Sequence, residues 1–230
     1  MYKNKTFLAV IPARGGSKRL RRKNLLDLHG KPLIAWTIEA GLQSKYLDKV
    51  VVSSEDKDIL DIAREFKTDI IKRPNRLASD TATSFDVLKH AIDNLESYDY
   101  VVLLQPTSPL RNAMHIDEAI EYLEKKSAHS IISVCEMDHS PLWSNTLKSD
   151  QAMNKFLKKD IFKKRSQDLE KYYRLNGAIY ICKVNKFSKE REFFLKENVY
   201  AYIMDKESSI DIDEDIDLKI AYTLALRNIK

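Results

Sequence analysis

The sequence has few cysteines and no long apolar run, and each shortage excludes a class of protein. Only two of the 230 residues are cysteine, Cys135 and Cys182, and neither lies in a CxxC or Cys/His pattern. Both lie in apolar runs, so we expect buried, reduced thiols and a reducing compartment, the cytoplasm. The apolar run near the start, about seven residues, is too short to match a signal peptide. No run approaches the roughly 18 apolar residues of a membrane span, so we expect a soluble protein without a membrane partner.

Several well-known functional motifs are also missing. The sequence contains neither the P-loop pattern GxxxxGK[ST] nor the dinucleotide pattern GxGxxG. No Ser-His-Asp order and no cysteine nucleophile stands out. The histidines are scattered without the spacing of metal ligands, so we assign no metal to them: His29, His90, His115, His129 and His139.

The charged residues are concentrated in two places. Hydrophobic residues make up 43 % and charged residues 32 % of the chain, which indicates a folded domain with a core rather than disorder. The net charge is +5, but residues 14–23 hold six basic residues and no acidic one, whereas residues 205–217 hold seven acidic residues and one lysine. This separation is typical of a phosphate site and a metal site. A nucleic-acid-binding face more often spreads its charge along a helix or stripe, so we expect no nucleic-acid partner.

Strands and helices alternate through the first part of the chain. Continuous apolar runs predict buried strands at 7–13, 49–53, 69–71, 100–104 and 130–134, and helical spacing predicts helices from residue 33 and at 56–66, 83–95 and 113–123. Runs of this kind predict an α/β fold with a mostly parallel sheet covered on both faces. Because ligands of such sheets bind beyond the carboxyl ends of the strands, the loops starting at Arg14 and Gln105 should border the site.

The pattern changes between residues 138 and 172. This stretch is polar, rich in lysine and aromatic residues, and has no long periodic segment, so we interpret it as an insertion. Strands at 178–182 and 199–204 and a closing helix at about 215–228 follow it. We find no internal repeat and no low-complexity linker, which predicts one domain over 1–230 with a single insertion.

The first basic loop, RGGSKRLRRKN at 14–24, directly follows a buried strand. Gly15 and Gly16 allow a tight turn that exposes backbone N–H groups. Donors and positive charge for phosphate oxygens come from Arg14, Ser17, Lys18 and Lys23. The alternative is a solvated basic turn, but the position after a strand favours phosphate binding.

The acidic segment SIDIDEDIDL at 209–218 alternates carboxylates with apolar residues. In an extended segment Asp211 and Asp213 point to the same side, where they can hold Mg²⁺ together with water and substrate phosphates. The alternative is a helix N-terminus, whose dipole acidic residues complement. We assign that second role to Glu214, Asp215 and Asp217.

Three further motifs leave two interpretations each. LLQPTSPLR at 103–111 is either a rigid connector or part of the site. LASDTATS at 77–84 either caps a helix or approaches a base or ribose. RLNGAIYI at 174–181 places an arginine and an asparagine before a strand, and Gly177 permits close backbone approach.

Five motifs in order resemble those of the bacterial CMP-sialic acid synthetases (acylneuraminate cytidylyltransferases). They are IPARGGSK with Lys23-Asn24, RPNRLASDTATS, LLQPTSPLR, RLNGAIYI and SIDIDEDIDL, and they span positions 11–218. The resemblance implies a Rossmann-like, three-layer nucleotide-diphosphosugar-transferase fold. It also implies CTP and an acidic nine-carbon sugar as substrates, Mg²⁺ as cofactor, and a homodimer formed through the inserted segment 138–172.

The resemblance further implies roles for individual residues. Arg14, Lys23 and Asp211 would be catalytic, and Asp211 and Asp213 would hold Mg²⁺. The nucleotide would be bound by Ala13 (backbone), Arg14, Ser17, Asn24, Arg73 and Ser84. The sugar would be bound by Gln105, Arg165, Tyr180, Phe193 and Phe194, the Phe pair reaching it from the partner subunit. Trp143 stands where some relatives place a sugar-contacting lysine, so N-acetylneuraminate, legionaminate and pseudaminate all stay open.

These roles predict in-line attack of the sugar's anomeric hydroxyl on the α-phosphorus of CTP, with release of pyrophosphate. One alternative is a Kdo cytidylyltransferase, which uses an eight-carbon sugar; the GGSK and SIDID sequences favour the sialic acid group. A non-enzymatic alternative is a polyanion-binding module that uses the basic loop. That alternative leaves the C-terminal aspartates without a role.

Overall fold

The structure is a computed structural model that describes residues 1–226. Apolar strands form a seven-stranded sheet at its centre. The strands are β1 (Phe7–Pro12), β2 (Asp27–Leu28), β3 (Lys31–Pro32), β4 (Lys49–Ser54), β5 (Asp69–Lys72), β6 (Tyr100–Leu104), β7 (Ser130–Glu136), β8 (Tyr173–Lys183) and β9 (Val199–Met204). The helices are α1 (Leu33–Leu42), α2 (Lys57–Glu65), α3 (Ser84–Asp93), α4 (Ala113–Lys126), α5 (Val184–Glu190) and α6 (Asp215–Ala225).

The sheet has the strand order β5-β4-β1-β6-β8-β7-β9, and β2 and β3 form a separate hairpin. Only β8 runs antiparallel to its sheet neighbours, β6 and β7, so the predicted mostly parallel sheet is confirmed. The chain passes from β1 to β4 on one side and returns to β6 on the other. This reversal leaves a crevice at the carboxyl ends of β1 and β6, where open α/β sheets bind ligands.

Both faces of the sheet are buried, which explains the continuous apolar runs in the sequence. In β1, Phe7, Ala9 and Ile11 pack into a core shared with helices α1, α2 and α4, whereas Leu8 and Val10 pack into a second core with α3 and α5. The result is the predicted three-layer arrangement of helices, sheet and helices. None of the helices within residues 1–226 is long and apolar enough to cross a membrane.

The sequence-based boundaries need correction mainly around β8. The strand predicted at 178–182 begins at Tyr173, so Arg174 and Asn176 lie within it rather than before it. The pairing register with β7 shifts near Gly177, which has a φ of +74°, and this bulge interrupts the apolar pattern. The sequence also did not predict α5. The closing helix is described to Ala225, and residues 227 and 228 of its predicted range lie outside the described residues.

The segment at 138–172 connects β7 to β8 and contains only short turns of 3-10 helix, at Pro141–Trp143 and Ser166–Asp168. Ile161 is buried, but Phe162 is 77 % exposed. Because β7 and β8 are antiparallel neighbours, the segment leaves and re-enters the sheet at the end where β1 and β6 terminate. Its role in dimer formation stays a prediction.

A buried polar network centred on Asn176 holds the β8 bulge in place. The Ser133 hydroxyl donates to Asn176 Oδ1 at 2.6 Å, and Asn176 Nδ2 donates to the Ser209 hydroxyl at 2.9 Å. The Ile179 N–H donates to Ser133 Oγ at 2.8 Å. All three polar side chains are buried. Asn176 therefore joins β7, β8 and the segment that leads to the acidic motif.

We expect Asn176→Ala to lower the free energy of unfolding by about 2 kcal/mol, because it leaves buried hydroxyls without partners. Urea unfolding followed by circular dichroism measures the change. Asn154→Ala, in an exposed position, is the matched control and should leave stability unchanged. Equal midpoints for the two variants would contradict a structural role of the network.

Candidate active site

A cavity of about 520 Å³ lies in the crevice beyond β1 and β6. Its walls come from the loop after β1, the segment before α3 and the loop after β6, so both loops that the sequence placed at the site border it. Among its lining residues are eight of the predicted site residues: Arg14, Ser17, Lys23, Asn24, Arg73, Ser84, Gln105 and Asp213.

Glu55, which the sequence did not indicate, fixes the shape of the basic loop. Its carboxylate accepts from the Gly15 N–H at 2.8 Å and from Arg73 Nε at 3.0 Å and Nη2 at 2.9 Å. The Arg73 side chain is almost fully buried. Asn24 Nδ2 donates to the Arg14 carbonyl at 2.9 Å across the same loop. The only available signal for Glu55 was its place just after a buried strand, at the carboxyl edge of the sheet.

The two glycines of the loop differ in how much space they have. A Cβ on Gly15 would overlap Oδ2 of Asp56 and lie 2.9 Å from its Cγ, whereas a Cβ on Gly16 would meet nothing within 4 Å. The Asp56 side chain cannot turn away freely, because its Oδ1 caps α2 by accepting from the N–H groups of Asp58 and Ile59. Gly15 is therefore required for close approach between the loop and α2.

Two carboxylates at the cavity pair with four of the six cations of the basic loop. Asp80 accepts from Arg14 Nη1 at 2.8 Å and pairs with Lys18 Nζ at 2.6 Å, and these two cations hold the pKa of Asp80 below its ordinary value. On the opposite wall Asp213 pairs with Lys23 Nζ at 2.9 Å and with Arg19 at 2.8 Å. The sequence did not indicate Asp80, because its partners are more than 60 residues away.

Asp211 and Asp213 differ in their surroundings. Oδ1 of Asp211 is buried and has no hydrogen-bond partner within residues 1–226, and burial raises the pKa of this carboxyl. For Asp213, burial also raises the pKa, but the hydrogen bond from Lys23 and the charges of Lys23 and Arg19 outweigh it and the net pKa is lowered. Among the described residues, no group of three or more His, Cys, Asp or Glu is arranged so that it could hold a metal ion. A two-carboxylate set with one unsatisfied oxygen fits Mg²⁺, which keeps waters and substrate phosphates as ligands.

The remaining acids of the motif stabilise the start of α6. Asp217 Oδ2 accepts from the backbone N–H groups of Asp213 at 3.0 Å and Glu214 at 2.8 Å. Asp215 lies in the first turn, where it pairs with Lys219 at 2.6 Å. The helix-capping role is confirmed, and the cap also fixes the backbone of Asp213.

A second cavity, of about 400 Å³, adjoins the first, and Thr83 and Ser84 line both. Tyr180, Phe193 and Phe194 line it, as the resemblance implied for a sugar site. Phe193, however, is 8 % exposed and packs in the core of its own chain, with its ring 5.3 Å from that of Tyr180. Only Phe194, which is 53 % exposed, is accessible to another subunit.

Three predicted residues line neither cavity: Ala13, Arg165 and Asp211. Asp211 lies close to Gly177, where its Oδ2 would be 3.6 Å from an added Cβ. Arg165 lies in the 138–172 segment, its side chain is 72 % exposed, and it pairs with Asp168 at 2.9 Å. Ala13 is buried beneath the first cavity, where its N–H donates to the Ser53 carbonyl at 3.0 Å. Within one chain, therefore, Arg165 is not part of the site.

The family model described as Cytidylyltransferase matches residues 8–227, nearly the whole chain. The chain belongs to the cytidylyltransferase family. This result confirms the resemblance inferred from the motifs.

Three relatives are similar to this chain over most of its length. The N-acylneuraminate cytidylyltransferase of Escherichia coli O18:K1:H7 is 38 % identical over 94 % of this chain and 51 % of the relative. The CMP-N,N'-diacetyllegionaminic acid synthase of Legionella pneumophila is 38 % identical over 91 % of this chain and 92 % of the relative. The pseudaminic acid cytidylyltransferase of Campylobacter jejuni is 35 % identical over 94 % and 95 %. The chain thus spans about half the length of the first relative.

Two solved structures show the same fold at low identity. A CMP:2-keto-3-deoxy-manno-octonic acid synthetase complexed with CTP superposes with a TM-score of 0.73 at 20 % identity, covering 97 % of this chain and 99 % of the other. The 4-diphosphocytidyl-2C-methyl-D-erythritol synthase from Anaerococcus prevotii has a TM-score of 0.65 at 15 % identity, with the same coverage. Both support the fold described above.

We expect Gly15→Ala to lower the free energy of unfolding by about 1–3 kcal/mol, since the added methyl group displaces the Asp56 cap or the loop. Gly16→Ala, its neighbour with open space, should change stability by less than about 0.5 kcal/mol. Thermal and urea unfolding of both variants make the comparison. A Gly15→Ala protein as stable as the wild type would show that the loop does not need this close approach.

Proposed function

We propose that the chain transfers CMP from CTP to an acidic nine-carbon sugar and releases pyrophosphate. The observation that carries the proposal is that the basic phosphate loop and Asp213 line one crevice, with Asp211 buried close to Asp213 and Lys23, in a chain of the cytidylyltransferase family. Relatives named for N-acylneuraminate, legionaminic acid and pseudaminic acid support a sugar of this class without selecting one.

In this proposal the basic loop binds the triphosphate. Arg14 and Lys18 exchange their ion pairs with Asp80 for phosphate oxygens, which carry more charge and accept in several directions. Lys23 is largely buried and is held at the cavity wall by the Ile212 carbonyl at 2.6 Å. A fixed ammonium at this position offsets negative charge on the α-phosphate and on the departing pyrophosphate.

Asp211 and Asp213 would hold Mg²⁺, and the bound ion would supply charge stabilisation to the nucleotide phosphates. Asp211 offers the unsatisfied oxygen, and the α6 cap holds the Asp213 backbone. The chain's own residues therefore fix where the cation and the phosphates meet.

The shared wall of the two cavities positions the reacting groups. In the proposal, Asn24, Arg73, Ser84 and the backbone at Ala13 hold the cytidine part. Gln105, Tyr180 and the aromatic residues of the second cavity hold the sugar. Because Ser84 lines both cavities, the anomeric hydroxyl and the α-phosphorus would come together beside it for in-line attack. Positioning and electrostatics supply most of the catalysis, since no side chain needs to form a covalent intermediate.

The reaction is tested by measuring pyrophosphate release with CTP, Mg²⁺ and a panel of N-acetylneuraminate, legionaminate, pseudaminate and Kdo. We expect release with at least one nine-carbon sugar. Asp211→Ala should lower turnover roughly 100-fold or more, because it removes the unsatisfied oxygen from the charge-stabilising site.

The control for this experiment is Asp215→Ala, which removes an exposed carboxylate of the same motif and should retain turnover. Release with Kdo alone would replace the nine-carbon assignment with the eight-carbon alternative. No release with any sugar, together with salt-sensitive binding to polyanions, would favour the non-enzymatic module.

We also propose a homodimer formed through the 138–172 segment. The segment exposes large apolar side chains, namely Leu147, Met153 and Phe162. It rises from the cavity end of the sheet and carries Arg165, which pairing with a second chain could bring to the partner's sugar site. The two buried, unpaired cysteines support a reducing, cytoplasmic location for this assembly.

Light scattering should give a mass of roughly twice the chain mass of 26.7 kDa. Phe162→Asp should shift the protein towards the monomer, since it places a charge in an apolar contact. Lys163→Asp, the adjacent exposed position, is the matched control. A wild-type mass equal to one chain would refute the dimer.

A further inference from the structure

Arg111 ends the motif at 103–111 and is buried without a carboxylate partner. Its side chain is among the largest fully buried ones, with 1 % exposure. Nη2 donates to the Thr37 hydroxyl at 2.7 Å and to the Gln105 carbonyl at 3.4 Å. Nε and Nη1 have no hydrogen-bond partner among residues 1–226, and no ion pair to Arg111 occurs in that range.

Such a group is unfavourable for stability. A buried charge that is not paired loses its hydration without compensation, and an apolar side chain of similar volume packs as well or better. Burial lowers the pKa of Arg111 to about 9, so the guanidinium is still charged at neutral pH. Folding stability therefore does not account for an arginine at this position.

Arg111 lies against the backbone of Gln105, next to the first cavity. The Gln105 backbone carbonyl accepts from it, and the Gln105 side chain lines the nucleotide cavity. A Cβ built on Gly177 would lie 3.7 Å from the Gln105 amide and 3.6 Å from Asp211 Oδ2, so these groups surround one point. Because Arg111 is excluded from water, its charge acts on this point with little screening.

We propose that Arg111 is a positioning residue for the acidic sugar. It holds the Gln105 backbone in place through the Gln105 carbonyl, and it supplies a constant positive charge to the sugar side of the site. The inference rests on the proposed function, since it concerns the carboxylate-bearing acceptor. Arg14 and Lys18 cannot take this role, because both are solvent-accessible and share the carboxylate of Asp80.

Steady-state kinetics on Arg111→Met and Arg111→Lys test the proposal. Arg111→Met should raise the KM for the acidic sugar about tenfold or more, the effect of one unit charge at short range in the protein interior. The KM for CTP should change by less than twofold. Arg111→Lys keeps the charge and should recover most of the sugar affinity, which a merely space-filling role would not produce.

Salt dependence supplies a second readout. Between about 0.05 M and about 0.5 M ionic strength, the effect of Arg111→Met on the sugar KM should stay constant, since a buried charge is weakly screened. The effect of Lys18→Met, the exposed control, on the CTP KM should shrink over the same range.

Thr37→Val keeps the proposal testable if Arg111→Met does not fold. It removes the hydroxyl that Arg111 donates to while it preserves the charge, and it should raise the sugar KM severalfold with the CTP KM unchanged. An unchanged sugar KM in Thr37→Val, or in a folded Arg111→Met protein, would overturn the role of Arg111. A wild-type protein that releases no pyrophosphate would instead contradict the proposed function itself.

Discussion

Burial of β1 on both faces and along both edges is the constraint on which the rest of the molecule depends. Alternate residues of β1 enter two different cores, so helices must cover both sides of the sheet. β4 and β6 pair with its two edges, and the chain can leave only at the carboxyl end. There the polypeptide must turn sharply beside α2, which requires Gly15, and the Gly15 N–H donates to Glu55. The shape of the basic loop is thus a consequence of how the sheet closes around its central strand.

The sequence predicted what depends on local pattern and missed what depends on distant pairing. β6 and β9 have the boundaries that their apolar runs predicted, and α3, which was predicted from residue 83, begins at Ser84 with Thr83 as its cap. The first half of β8 was missed because the bulge at Gly177 breaks the periodicity. Glu55 and Asp80 were missed because their partners lie far away along the chain. The resemblance implied that both Phe193 and Phe194 reach the sugar from the partner subunit. Only the structure distinguishes the two residues, because adjacent phenylalanines look alike in sequence but differ here in burial.

The site combines opposite charges at short range. Asp80 and Asp213 pair with four of the six cations of the basic loop and offset only part of its positive charge. The exposed pairs made by Arg14, Lys18 and Arg19 contribute little to stability. Arg111 differs in kind, because its charge has no acid to exchange with and stays fixed behind the site. The cations of the basic loop at the first cavity are therefore paired with acids, whereas the charge of Arg111 is not.

The hairpin formed by β7 and β8 has an evolutionary consequence. Because the two strands are antiparallel, the residues between them can change in number and sequence without altering the register of the sheet. Lengthening such a connection destabilises the fold only slightly, since each doubling of the length of a flexible loop adds only about 0.6 kcal/mol to the free energy of loop closure. The same end of the sheet carries the two cavities of the candidate site. This connection can therefore vary in length and sequence beside the cavities while the strands that support the basic loop keep their pairing.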